Sequence, residues 1–69
     1  MQRTPVESTN VASIGYDHTT QTLEVEFQRG WVYQYFDVPE PVYDALMAAP
    51  SKGEFLNASI KGSYRYARM

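Results

Sequence analysis

The sequence predicts an α+β fold: a three-stranded antiparallel meander, two short helices packed on one of its faces, and a short C-terminal strand or extended tail. Three observations carry this. Apolar and polar residues alternate with a period of two from Val11 to Phe36, the spacing turns helical after Val38, and six Tyr, three Phe and one Trp stand among 69 residues that include no Cys. Such rings bury about 150–250 Å² each, so in a chain this short they must build the core. A domain of this size hides only about 60% of the surface its unfolded chain exposes, and one small core supplies about 3–5 kcal/mol.

Residues 1–7 are polar, carry Pro5 and show no periodicity, which predicts a loose lead-in ahead of a single domain over residues 8–69. Stretches 11–16, 22–27 and 31–36 alternate and are rich in β-branched and aromatic residues, so each is expected to be a strand. A two-residue turn at Arg29 and Gly30 would force Arg29 to positive φ, whereas a three-residue loop of Gln28, Arg29 and Gly30 asks this only of the glycine. The longer loop pairs Phe27 with Trp31, Val25 with Tyr33 and Leu23 with Tyr35, and puts all six on one face. At the first turn a four-residue loop, 17–20, in which Asp17 bonds the backbone ahead of it, pairs Ile14 with Leu23 and Ala12 with Val25. The opposite face then collects Ser13, Gly15, Thr22, Glu24, Glu26 and Gln34, and is expected to be solvated.

Pro39 and Pro41 stand where the first turn of a helix tolerates proline, and Val42, Ala45, Leu46 and Ala49 follow at helical spacing until Pro50. Ser51, Lys52, Gly53 and Glu54 match a capping box, the hydroxyl and the carboxylate each satisfying a free amide of a second helix whose apolar side is Phe55, Leu56 and Ile60. Gly62 ends that helix, and alternation returns from Tyr64 to Met69.

The lack of Cys fits a reducing cytoplasm. No apolar run approaches the ~20 residues of a membrane span, and residues 1–10 lack the apolar stretch of a signal peptide. The expectation is a soluble cytoplasmic protein with no membrane partner. A net charge of −2 argues against a protein built wholly around nucleic acid, because phosphate neutralisation supplies most non-specific affinity. The distribution is more telling: residues 1–50 hold two cations against seven acids, a balance of −5, while residues 51–69 hold Lys52, Lys61, Arg65 and Arg68 against Glu54, a balance of +3.

That basic segment is the first candidate site. Lys61, Tyr64, Arg65, Tyr66 and Arg68, with Asn57 on the helix before them, interleave cations with rings, the composition that phosphates and stacked bases favour. A plain charged edge strand, tyrosines packed down and arginines turned out, competes with this reading. Tyr33 and Tyr35 invite a base-stacking role, but the register turns both rings under the helices and leaves only their hydroxyls at the rim. Arg29 and Trp31 flank Gly30 at a hairpin tip, where an indole beside a guanidinium suits a protein partner; closing the core against Phe27 is an equal alternative for Trp31.

Catalysis finds little support. Glu24 and Glu26 share a face but lack a pocket that would split their pKa values. His18, adjacent to Asp17 in a tight turn, is badly placed to bond that carboxylate while serving a nucleophile. One His and no Cys supply no metal set, and no cofactor is expected. The functional expectation is a non-enzymatic domain that binds RNA or a phosphate-bearing small molecule through its basic corner. A protein-interaction or inhibitor module, working through the hairpin tip or an oligomer interface, competes with it, and the chain is expected to be a monomer or weak homo-oligomer.

Several phrases taken together resemble the KTSC domain: Ile14-Gly15-Tyr16-Asp17, the strand Leu23-x-Val25-x-Phe27, Gly30-x-x-Tyr33-x-Tyr35, Val38-Pro39, and the segment from Ser51-x-Gly53 through Asn57 to Ile60-Lys61. The match runs from about Ser8 to Arg68. That family occurs at the C-terminus of some lysyl-tRNA synthetases and as free-standing short proteins of bacteria or phages. The resemblance implies a small α+β domain, RNA binding by association with the synthetase, and no enzymatic activity.

Overall fold

Alternation along the first half of the chain is realised as strands, and the helical half folds back over them. The computed structural model describes residues 1–69, in the order β1 (Arg3–Pro5), β2 (Val11–Asp17), β3 (Thr22–Phe27), β4 (Val32–Tyr35), α1 (Glu40–Ala48), α2 (Lys52–Phe55), a π-helical turn (Leu56–Ile60) and β5 (Tyr66–Arg68). The strands form one antiparallel sheet in the order β1-β2-β3-β4-β5. The sheet therefore has five strands, two more than the meander alone. The residues expected to be a loose lead-in contain β1, which pairs Arg3 with Gly15 and Pro5 with Ser13. A three-residue edge strand bearing a proline carries no alternation to read, and an edge is where a sheet accepts proline.

The second turn forms as its glycine requires. Phe27 N–H donates to the Trp31 carbonyl at 2.8 Å across the loop, Gly30 takes φ +96°, and Val25 lies opposite Tyr33 and Leu23 opposite Tyr35. The first turn lies one residue later than expected: Asp17 pairs with Thr22, so Ile14 faces Val25 and Tyr16 faces Leu23. Asp17 is both the last rung of the ladder and the acceptor for Thr19 N–H at 2.9 Å, and Gln21, at φ 56°, closes the loop. Faces are preserved because the pairing moves by two. A bulge between Val11 and Ser13 then returns Val11, in place of Ala12, to the core side.

Under the helices lie Val11, Ile14, Leu23, Val25, Tyr35, Val38, Leu46, Leu56 and Ile60. Pro41 sits in the first turn of α1, whose inward stripe is Val42, Tyr43, Leu46 and Met47, while Ala45 faces solvent. Lys52 closes the other end by donating its ammonium to the carbonyls of Met47 and Ala49, at 3.0 and 2.6 Å, where a cation also meets the negative pole of the helix. The Ser51 hydroxyl accepts from Glu54 N–H at 3.2 Å, the hydroxyl half of the expected box. The second helix then widens: Lys61 N–H donates to the Leu56 carbonyl at 2.9 Å, five residues back.

The outer face is less wet than its composition suggests. Glu24 is only 7% exposed, because β1 lays Arg3 across it; Arg3 donates to one carboxylate oxygen, and the Gln34 amide donates to the other at 2.9 Å. Ser13 donates to Glu26 at 2.8 Å. The paired carboxylates are thereby committed to structure. Burial acts to raise the Glu24 carboxyl, but the hydrogen bonds from Gln34 and Arg3 and the Arg3 charge outweigh it and hold it below its ordinary range.

Candidate functional site

Three strands and the π turn meet at a cleft of about 700 Å³. From β4, Tyr33 and Tyr35 point toward the helices, and β5 brings Arg68 opposite Tyr33 and Tyr66 opposite Tyr35. Cross-strand neighbours on one face touch, so the three tyrosines build a single wall: Tyr33 and Tyr66 have ring centroids 5.7 Å apart, Tyr33 and Tyr35 6.3 Å, and Tyr35 and Tyr66 6.0 Å. Phe27 meets Tyr33 edge-on at 5.6 Å. Trp31 and Arg29 from the hairpin tip, Asn57 and Lys61 from the π turn, and Thr9 and Asn10 from the approach to β2 also line it.

Tyr35 is both core and floor. It is 2% exposed, and no side-chain polar atom sealed inside the protein lacks a partner. No protein group bonds the Tyr35 hydroxyl, and the residue lines the cleft. Burial, then the neighbouring Tyr33 and Tyr66, raises its pKa, so it keeps its proton and can donate to a ligand. The Tyr16 hydroxyl, by contrast, is spent on the Val38 carbonyl at 2.5 Å.

The cations sort themselves in the same way. Of the six Lys and Arg residues, Arg3 is paired with Glu24 and Arg65 with Asp37, and Lys52 caps α1. The three left without a carboxylate or a helix end to engage them are Arg29, Lys61 and Arg68. Lys61 lies over the Phe27 ring at 5.4 Å and Arg68 over the Trp31 ring at 5.2 Å, so both are positioned at the cleft by aromatic faces. None of the 13 lining residues is acidic.

This arrangement redraws the two sites expected from the sequence. Lys61, Asn57, Tyr33, Tyr35, Arg29 and Trp31 line one cleft, which joins the hairpin tip to the basic segment. Arg68 stands over Trp31 at its rim, and the indole is 51% exposed. Tyr64 and Arg65 do not belong to it. Tyr64 packs against the core, and Arg65, one residue before β5, lies over Phe36 at 5.7 Å while bonding Asp37 at 3.0 Å. The alternation that puts Tyr66 and Arg68 on the cleft side turns Arg65 to the other side of the sheet.

Phe27, Tyr66, Thr9, Asn10, Gln28, Gly53 and Leu56 line the cleft as well; of these Tyr66 stands in the basic aromatic segment, Phe27, Gln28, Gly53 and Leu56 carry a sequence signal only for strand, turn, cap and core, and Thr9 and Asn10 carry none. The approach of Asn10 to Gly53, 3.2 Å from where a Cβ would stand, depends on long-range packing. His18 is exposed, edge-on to Tyr16 at 4.9 Å and 3.3 Å from Glu40. No helix is long and apolar enough to cross a membrane.

Comparison with known proteins agrees with this architecture. A model of the KTSC domain matches residues 7–64. The chain is 43% identical over 63 residues to a lysine–tRNA ligase of Trichormus variabilis, an alignment that takes in 91% of this chain but 11% of the ligase's length. It is also 43% identical over 70 residues to an uncharacterized protein of Stutzerimonas stutzeri, aligned over 100% of this chain and 99% of that one. The crystal structure of a KTSC domain protein from Yersinia pestis superposes with a TM-score of 0.93 at 42% identity, over 99% of this chain and 96% of the other. With its family model, its relatives and its solved neighbour in accord, the chain belongs to the KTSC domain family.

Proposed function

We propose that this domain is a non-enzymatic RNA-binding module whose contact surface is the aromatic cleft. The observation that carries the reading is the sorting of charge: the three cations engaged neither by a carboxylate nor in capping α1 are the three at the cleft, in a chain whose net charge is −2. Cations held over rings beside a tyrosine wall offer a phosphate and a base their preferred contacts together. Kinship with lysine–tRNA ligases, enzymes that act on tRNA, supports RNA as the source of that phosphate.

Binding measured by fluorescence anisotropy against a single-stranded RNA should weaken with salt. Two or three phosphate contacts give a slope of about −1.4 to −2.1 in log K against log salt, at about −0.7 per contact. Lys61→Ala combined with Arg68→Ala should lower affinity at least tenfold, while Arg65→Ala, on the far side of the sheet, leaves it unchanged. Equal losses from Arg65→Ala and the cleft pair would refute the assignment.

A second reading rests on the 51% exposure of Trp31, which suits the hairpin tip to a protein partner. Under it, indole emission shifts to the blue with rising protein concentration or on adding lysate, and RNA leaves it unmoved.

A further inference from the structure

The cleft has a size and a shape that narrow what can enter it. We infer that it accepts one unstacked nucleotide at a time: a base laid against Tyr33 and Tyr66 above the Tyr35 floor, with the base edge toward Asn57 and the phosphate met by the cleft's cations. This deepens the proposed function and rests on it.

The volume of about 700 Å³ falls within the range of about 300–1,000 Å³ typical of small-molecule sites, enough for a nucleotide and too little for a helix. Tyr33 and Tyr66 stand with centroids 5.7 Å apart beside the buried Tyr35, so they offer one continuous wall in place of the spaced platforms that a run of stacked bases would need. Duplex RNA is recognised by shape across about 16 base pairs. This domain is 28 Å in its longest dimension, and its free cations converge on one concavity instead of forming a line.

Asn57 is suited to reading the base. It is exposed on the π turn and lines the cleft, and its amide offers both a donor and an acceptor, the pair that a base edge requires. Of the two other amides in the lining, Gln28 is already committed to the carbonyls of Ser8 and Val11, and Asn10 is packed against Gly53. The π turn itself produces the arrangement: Leu56 and Ile60 are buried, and the residue after each, Asn57 and Lys61, lines the cleft. Widened turns of this kind recur at functional sites.

The same chemistry could come from a strand of RNA or from a free nucleotide, and the probes separate these. The intact chain is titrated with adenosine 5′-monophosphate, adenosine, a single-stranded RNA hexamer and a blunt RNA duplex of twelve pairs, following Trp31 emission and backbone amide shifts. The monophosphate and the hexamer should move one set of amides, at Trp31, Tyr33, Asn57, Lys61 and Tyr66. The hexamer should bind at least tenfold tighter than the duplex, and adenosine at least threefold more weakly than its monophosphate. Monophosphate binding tighter than the hexamer supports the site and assigns it to free nucleotide. Asn57→Ala should reduce the preference among homopolymer hexamers while keeping the fold, checked by the unchanged amide pattern of the sheet. A duplex that binds as well as the hexamer overturns the single-nucleotide site and leaves RNA binding standing; four inert probes overturn both.

Discussion

Glu24 illustrates how a single residue can mislead when its partners lie elsewhere in the chain. As one of two acids on the polar side of a strand it reads as a solubilising group, but Arg3 from β1 and Gln34 from β4 converge on it. Its folded carboxyl lies below the ordinary range despite burial. The stability it contributes is therefore complete above the unfolded value of about 4.3 and is lost as pH falls through the folded one. Glu24→Gln should cost about 1–3 kcal/mol at pH 7 and make the acid limb of a urea-midpoint profile shallower. Parallel acid limbs for the two proteins would contradict this. Tyr35 is the opposite case: alternation and one glycine were sufficient to turn its ring beneath the helices, whereas the freedom of its hydroxyl at the cleft depends on packing that no local pattern encodes.

Among the elements, those whose information is local were legible. β3 spans the expected residues, and β4 holds the expected register against it, because Gly30 alone bears the positive φ that the reversal needs. Gly30→Ala should cost about 1–2 kcal/mol in urea unfolding through backbone strain alone, since nothing lies within 4 Å of the added methyl. Gly62→Ala, equally open and without positive φ, should change stability little. What escaped the sequence was set at a distance. β1 is an edge strand held by pairing with β2, the bulge at Val11 corrects a register that alternation could not count, and the π turn inserts its extra residue into a helix that periodicity reads as regular. The candidate site followed suit: its residues were named, but split between a hairpin tip and a C-terminal segment that the sheet order brings side by side.

Across the whole molecule, charge and aromatic surface are distributed to two ends. Near the first turn, Tyr16 stacks on Tyr43 at 4.6 Å with His18 edge-on, and burial, followed by Glu40, Asp44 and Asp17, raises the Tyr16 hydroxyl. That end is acidic, and its hydroxyl is satisfied. At the other end, Arg29, Lys61 and Arg68 have no acid to neutralise them and stand around a cleft with an unbonded tyrosine hydroxyl in its floor. An anion approaching the protein is repelled by one end and attracted to the other, an orientation that net charge alone does not convey. The most direct measurement of this account is a backbone amide shift map of the intact chain with a single-stranded RNA hexamer at low salt. A contiguous set of shifts is expected around Trp31, Tyr33, Asn57, Lys61 and Tyr66, with Arg65 and the Tyr16 to His18 end silent; shifts centred on Arg65, or none at all, would rule out the cleft as the RNA-binding surface.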